Sequence, residues 1–206
     1  MTYEQLLQLL TERKALIVHC SRPGKGDVGP DGLLFPEDLR NAIKICSEQH
    51  RELSCSLIWP DHVKTFGAVG IILKPRAFSS ITSISPHDSG TMSDEDGKRQ
   101  GMGVPFSAQA VEQTFANSKD YNEWTVTDAD TIGIFVNLYE PLEIAKEIPI
   151  ADIPGYDPSM SDMGSTIGPV RITIKEVIAA FPDLPLYGFA GTEIVKIGVD
   201  AASLYG

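Results

Sequence analysis

The segment Lys119-Asp120-Tyr121-Asn122-Glu123-Trp124-Thr125-Val126 brings one carboxylate, Glu123, to the mouth of a stretch with strand character. A carboxylate held there can polarise a hydroxyl or stabilise a cation that develops beside it, a contact worth about 3 to 4 kcal/mol in a preorganised site. A second polar group, His19-Cys20-Ser21-Arg22, ends another apolar run, Ala15-Leu16-Ile17-Val18. Two strand ends of this kind can share one cleft. Arg22 would offer a guanidinium fork to phosphate oxygens, and Tyr121 or Trp124 a ring for stacking. Each residue also has a plainer role: a core histidine bonded to backbone, a solvated glutamate, a surface arginine.

Periodicity sets out the elements that must position these groups. Thr2 with Gln5 forms a capping-box pattern and predicts a helix to about residue 14, its apolar side made by Leu6, Leu7, Leu9 and Leu10. A strand running to His19 follows. Residues 22–32, with four glycines and two prolines, read as a loop, and Pro36 starts a helix that reaches about residue 50. Strands are expected at 54–59 and 68–73, with Ile81 and Ile84 extending the sheet. Residues 85–105 are polar and glycine-rich, the composition of a long exposed loop able to gate a cleft. Ser107 caps a helix to about residue 117, and strands at 124–126 and 132–138 flank the Asp128-Ala129-Asp130 turn, which makes the Glu123 strand central. Residues 151–168 form a glycine- and proline-rich connection, 173–181 a short helix and 193–199 a closing strand.

This order of elements describes an α+β fold, a mixed and strongly bent sheet with its helices early in the chain. At 206 residues, 42% apolar and 22% charged, residues 1–206 form a single globular domain with a flexible loop at 85–105 and an irregular connection at 151–168. A formal charge of −11 argues against a protein that wraps phosphate backbones. Cys20, Cys46 and Cys55 are odd in number and lack CxxC spacing, as befits reduced thiols in a cytoplasmic protein. No apolar run reaches membrane-spanning length and no export signal opens the chain, so no membrane association is expected. His19, His50, His62 and His87 have no paired spacing, and no metal is expected. No G-x-G-x-x-G or G-x-S-x-G motif is present. Asp88-Ser89-Gly90-Thr91 is similar to the active-site turn of aspartic proteases, but it occurs once and follows no apolar strand.

A histidine ending an early strand and followed by Cys-Ser, together with one later glutamate in an Asn-Glu-Trp setting, resembles the ADP-ribosyltransferase superfamily. It resembles most loosely the toxin-like members that act on nucleic acids or proteins, and the likeness rests on two short motifs. It implies a domain of two bent sheets with NAD+ as substrate in the cleft between them. Glu123 would bond a ribose hydroxyl as nicotinamide departs and His19 would hold a ribose, with Ser21, Arg22, Tyr121 and Asn122 around the dinucleotide. Tyr121 stands where arginine-modifying relatives carry an acid, which disfavours an arginine acceptor. The resemblance further implies a macromolecular acceptor, protein or nucleic acid, and an antitoxin or other partner protein if the chain is an intracellular toxin or defence factor. Transfer of ADP-ribose and hydrolysis of NAD+ both stay open. So does a non-catalytic alternative, an acidic protein that occupies a partner's basic surface through residues such as Asp94, Glu95 and Asp96.

Overall fold

The computed structural model describes residues 1–21, 35–48, 52–87, 104–117, 120–153, 155, 164–190 and 192–197. Helix α1 (Tyr3–Glu12) leads into β1 (Leu16–Cys20), the short helices α2 (Glu37–Arg40) and α3 (Ala42–Glu48), then β2 (Leu53–Ile58), β3 (Val69–Pro75), β4 (Ile81–Ser85) and β5 (Val104–Pro105). Helix α4 (Ala108–Ala116) precedes β6 (Glu123–Val126), β7 (Ala129–Asn137), β8 (Glu143–Pro149), β9 (Ser165–Arg171), α5 (Ile174–Ala180), β10 (Leu186–Ala190) and β11 (Glu193–Ile197). The fold is mixed α+β, with few helices and one large sheet.

Nine strands join in the order β11-β10-β7-β3-β1-β2-β6-β4-β5, and β8 pairs with β9 separately. Every pairing is antiparallel except β10 with β7. Strand β1 is therefore the middle strand, and β6 lies third from the β5 edge. Midway along β2 the ladder changes partner: Ser56, Leu57 and Ile58 pair with β1, whereas Leu53, Ser54 and Cys55 pair with β6. Close approach of β1 and β3 requires Gly70, opposite Cys20, because a Cβ there would lie 2.6 Å from the His19 carbonyl oxygen.

Alternation along the strands gives the sheet two faces of different character. One face presents Ile17, Cys55, Leu57, Ile71, Ile134 and Trp124 to the main core, where helices α2 to α5 add Leu39, Cys46, Val111 and Val177. The opposite face carries a smaller cluster of Val18, Cys20, Ile58, Ile72 and Phe135, edged by partly buried Leu16, Tyr187, Phe189 and Ile194. Each fully buried aliphatic side chain stabilises the fold by about 1.5 to 3 kcal/mol, so the larger cluster dominates. Cys20, Cys46 and Cys55 are all buried.

Helix α1 forms as its sequence dictates. Thr2 Oγ1 accepts from the Gln5 N–H at 3.3 Å and Gln5 Oε1 accepts from the Thr2 N–H at 2.7 Å, while Leu6 and Leu10, one turn apart, enter the core. The Tyr3 hydroxyl donates to the Pro75 carbonyl and ties the helix to β3. Burial, then the charges of Asp130 and Glu4, raise the Tyr3 pKa and keep that donor protonated.

Several expectations need correction. The helix begun at Pro36 breaks at Asn41 (φ −101°, ψ 12°), whose side-chain amide donates to the Glu37 carbonyl at 3.1 Å and competes with helical pairing. Strands β6 and β7 are not partners across their turn: β6 lies between β2 and β4, β7 between β3 and β10. Part of the expected connection at 151–168 is strand, because β9 begins at Ser165, and β8 and β10 were not foreseen. Gly168 and Pro169 disguise β9, yet Gly168 makes room for Ile148 Cδ1, which lies 2.7 Å from where its Cβ would stand. The expected loop at 22–32, the interior of the loop at 85–105, Asp88 to Thr91, Asp94 to Asp96, and Arg22 lie outside the described residues.

Candidate functional site

His19 occupies the penultimate position of β1 and is fully buried. Its Nδ1 lies 2.8 Å from the Ser54 carbonyl oxygen. A carbonyl oxygen can only accept, so the proton sits on Nδ1 and the ring donates to β2 at the point where the backbone ladder between β1 and β2 stops. By alternation His19 shares the face of Ile17, and Ile17 pairs with Leu57, two residues from Cys55; the Cys55–Trp124 pair extends the same face into β6. His19 therefore points into the main core.

Glu123 precedes Trp124 on β6 and so lies on the other side of the sheet. The two residues expected to share a cleft are separated by the sheet itself. Around Glu123 that face is lined with hydroxyls. Ser85 is its cross-strand partner on β4, Ser56 and Ser54 alternate with core residues on β2, and Ser83 Oγ donates to Thr125 Oγ1 at 2.8 Å. Ser56 and Ser85 are buried and Glu123 is half-buried.

Tyr121, two residues before Glu123, stacks on Phe66 with ring centroids 4.9 Å apart and planes 14° from parallel. The Lys64 ammonium lies 5.9 Å from the centroid of the Tyr121 ring. Asn117, at the end of α4, anchors this approach to β6: its Nδ2 donates to the carbonyls of Pro86 at 2.7 Å and Asp120 at 3.2 Å, and its Oδ1 accepts from the Asp120 N–H at 3.0 Å. Phe66 is brought near by the turn before β3, where Gly67 is obligatory because a Cβ would lie 2.3 Å from the Ser21 carbonyl oxygen.

The remaining expected site residues serve the backbone. Asn122 is fully buried; its Oδ1 accepts from the Leu57 N–H and its Nδ2 donates to the Leu57 carbonyl, both at 2.8 Å. A side-chain amide thus replaces one rung of the β2–β6 ladder. Ser21 is fully buried and its Oγ accepts from the Ala145 N–H at 3.0 Å, fastening the end of β1 to β8. Trp124 lies in the core with its ring 6.0 Å from that of Phe106, edge to face, and takes no part in a stacking surface.

Phe66, Lys64, Ser56, Ser85 and Asn117 are the residues that sequence reasoning passed over. For Ser56 the signal is present as the alternation Leu53-Ser54-Cys55-Ser56-Leu57, apolar on one side and hydroxyl on the other. Phe66 carries only the weak signal of an aromatic ring in a polar turn.

Taken together, the hydroxyl-lined face offers one carboxylate as a hydrogen-bond acceptor, several hydroxyls able to donate or accept, and an aromatic pair at its rim. That combination suits a polyhydroxylated ligand with a planar ring. Among the described residues, no group of three or more His, Cys, Asp and Glu side chains is arranged to hold a metal ion, and no helix is long and apolar enough to cross a membrane. Compared with known proteins, the chain matches no family model and no curated protein.

Proposed function

We propose that the Glu123 face binds NAD+ and that the protein cleaves its bond to nicotinamide, passing ADP-ribose to a macromolecular acceptor or to water. One observation carries this reading: Glu123 stands half-buried among Ser56, Ser85 and Thr125, with the Tyr121–Phe66 stack two residues away. In the reaction the C1′–N bond of the nicotinamide riboside breaks and its electron pair leaves with the neutral ring. The ribose acquires oxocarbenium character, and an acceptor oxygen or nitrogen, or water, bonds C1′ and loses a proton. Glu123 would accept a hydrogen bond from a ribose hydroxyl and oppose the developing positive charge. The Tyr121 ring would flank the base. The change of ladder partner within β2 supports the finer fold reading, two bent sheets of the ADP-ribosyltransferase kind that meet at that strand. In this reading His19, Ser21 and Asn122 hold the site's framework and touch no ligand.

The test is to incubate the wild type and Glu123→Gln with NAD+, with and without cell lysate as a pool of acceptors, and to follow free nicotinamide by chromatography. The expected loss in the variant is about 10²- to 10³-fold. A specific observation favours a second reading, a non-catalytic protein that occupies a partner's surface: three expected site residues, His19, Ser21 and Asn122, are consumed by backbone hydrogen bonds. Wild type that releases no nicotinamide with any lysate and shows no thermal shift with NAD+ would replace the first reading with the second.

A further inference from the structure

On the same face as Glu123, but across β1, the sheet changes from hydroxyl to hydrocarbon. Leu16, Ile72, Ile132, Tyr187 and Ile194 come from β1, β3, β7, β10 and β11, five neighbouring strands, and line one groove that is walled by Leu7, Leu10 and Thr11 of α1 and reaches the main-core residues Ile17 and Leu73 at its α1 end. The cavity is about 480 Å³, within the range of small-ligand sites. Four inter-strand steps make it about 19 Å long. Ile132, 44% exposed, is the residue that the β3–β7 ladder skips between Gly133 and Thr131, a bulge that turns its side chain outward. Gly133 keeps the Tyr187 ring flat against the strands, since a Cβ there would lie 3.1 Å from Tyr187 Cε2.

Charge is distributed along this groove in one direction. Its lining contains two cations, Lys14 and Lys74, both at the α1 end, and no acid. Neither lysine forms an ion pair among the described residues. Asp130, the cross-strand neighbour of Lys74, is engaged by Arg76 at 2.8 Å. Lys14 adopts φ 51°, a left-handed conformation that non-glycine residues rarely take, at the turn that aims the chain from α1 into β1. Two ammonium groups with no ion pair among the described residues, at one end of an elongated apolar groove in a chain of formal charge −11, form a local exception to the protein's own field.

We propose that this groove binds a free medium-chain fatty acid, its carboxylate between Lys14 and Lys74 and its tail crossing β3, β7 and β10 toward Ile194. An extended peptide fits less well, because Thr11 and Tyr187 are the only uncharged side chains of the lining that could meet its amides. An anionic bilayer is disfavoured by the protein's net negative charge. This inference is independent of the NAD+ reading.

The experiment is calorimetric titration of the full chain with decanoate and, as a neutral control, decanol, alongside thermal melting and co-sedimentation with vesicles of phosphatidylcholine and phosphatidylglycerol. We expect decanoate to bind one to one and raise the melting temperature, and decanol to bind more weakly. Lys14→Gln combined with Lys74→Gln should weaken decanoate about five- to tenfold and leave decanol unchanged. Ile132→Glu, at a position already 44% exposed, should abolish decanoate binding; circular dichroism checks that each variant is folded. Absence of decanoate binding would overturn the proposal, as would equal binding of acid and alcohol that ignores the lysine changes. Co-sedimentation with vesicles without decanoate binding would overturn it in favour of a membrane surface.

Discussion

His19 and Glu123 are both polar residues beside apolar runs, on strands separated by β2, and they meet opposite fates. On the His19 side the face is closed by helices α2 to α5, and the imidazole spends its Nδ1 proton on the Ser54 carbonyl. On the Glu123 side hydroxyls line the strands and the carboxylate stays half-buried. A strand turns its side chains over at every residue, so a shift of one position decides whether a polar group becomes framework or faces a ligand. The Glu123 face is itself divided: hydroxyls over β2, β6 and β4, hydrocarbon over β1, β3, β7, β10 and β11.

The sharpest way to break the contrast is at Asn122. Alanine there would leave the Leu57 N–H and carbonyl buried without partners, at a cost of about 2 to 5 kcal/mol, measurable by urea unfolding. An unchanged midpoint would mean that the amide rung contributes nothing to the joint between β2 and β6. His19→Leu should cost less, about 1 to 3 kcal/mol, because one carbonyl loses its donor. Nicotinamide release per folded molecule should be unaffected in this variant; a selective loss of turnover at normal stability would return His19 to the site.

Smaller effects belong to the helix that covers the closed face. Thr173 Oγ1 accepts from the Glu176 N–H at 3.3 Å and Glu176 Oε2 accepts from the Thr173 N–H at 2.7 Å, so Thr173→Ala should cost about 1 kcal/mol. The Thr173 backbone N–H first, and its hydroxyl second, hold the Glu176 carboxyl below its ordinary value of 4.5. A depressed carboxyl contributes stability above its unfolded pKa and loses it as pH falls through the folded value. Stability should therefore fall on acidification below about pH 4.5, and Glu176→Gln should flatten that part of the pH profile; an unchanged slope would show that this cap does not carry it.

Local chemistry made much of the fold legible. Thr2 with Gln5, Ser107 and Thr173 each mark a helix start because a side-chain oxygen satisfies a free N–H within three residues, a requirement written in neighbouring positions. Strands β1, β2 and β3 announce themselves as apolar or alternating runs. Strand β9 does not, since Gly168 and Pro169 imitate a loop and only the pairing with β8 makes it a strand. Of the candidate site, the position of Glu123 at a strand start and the presence of the Tyr121 ring could be read from the sequence. Phe66 was not, because it reaches Tyr121 from 55 positions away in the chain and only packing joins them.

The amino-acid sequence by itself determined the helix caps, the apolar stretches that become the central strands, the acidic charge and the alternation of serine with hydrocarbon along β2. Tertiary structure alone decided that β6 pairs with β2 and β4 and not with β7, that Asn122 serves as a rung of the sheet, and that His19 and Glu123 face opposite ways. The physical reason is range. Caps and periodicity are settled within a few residues, whereas strand order and register are chosen by burying whole faces at once, and no short segment contains that choice.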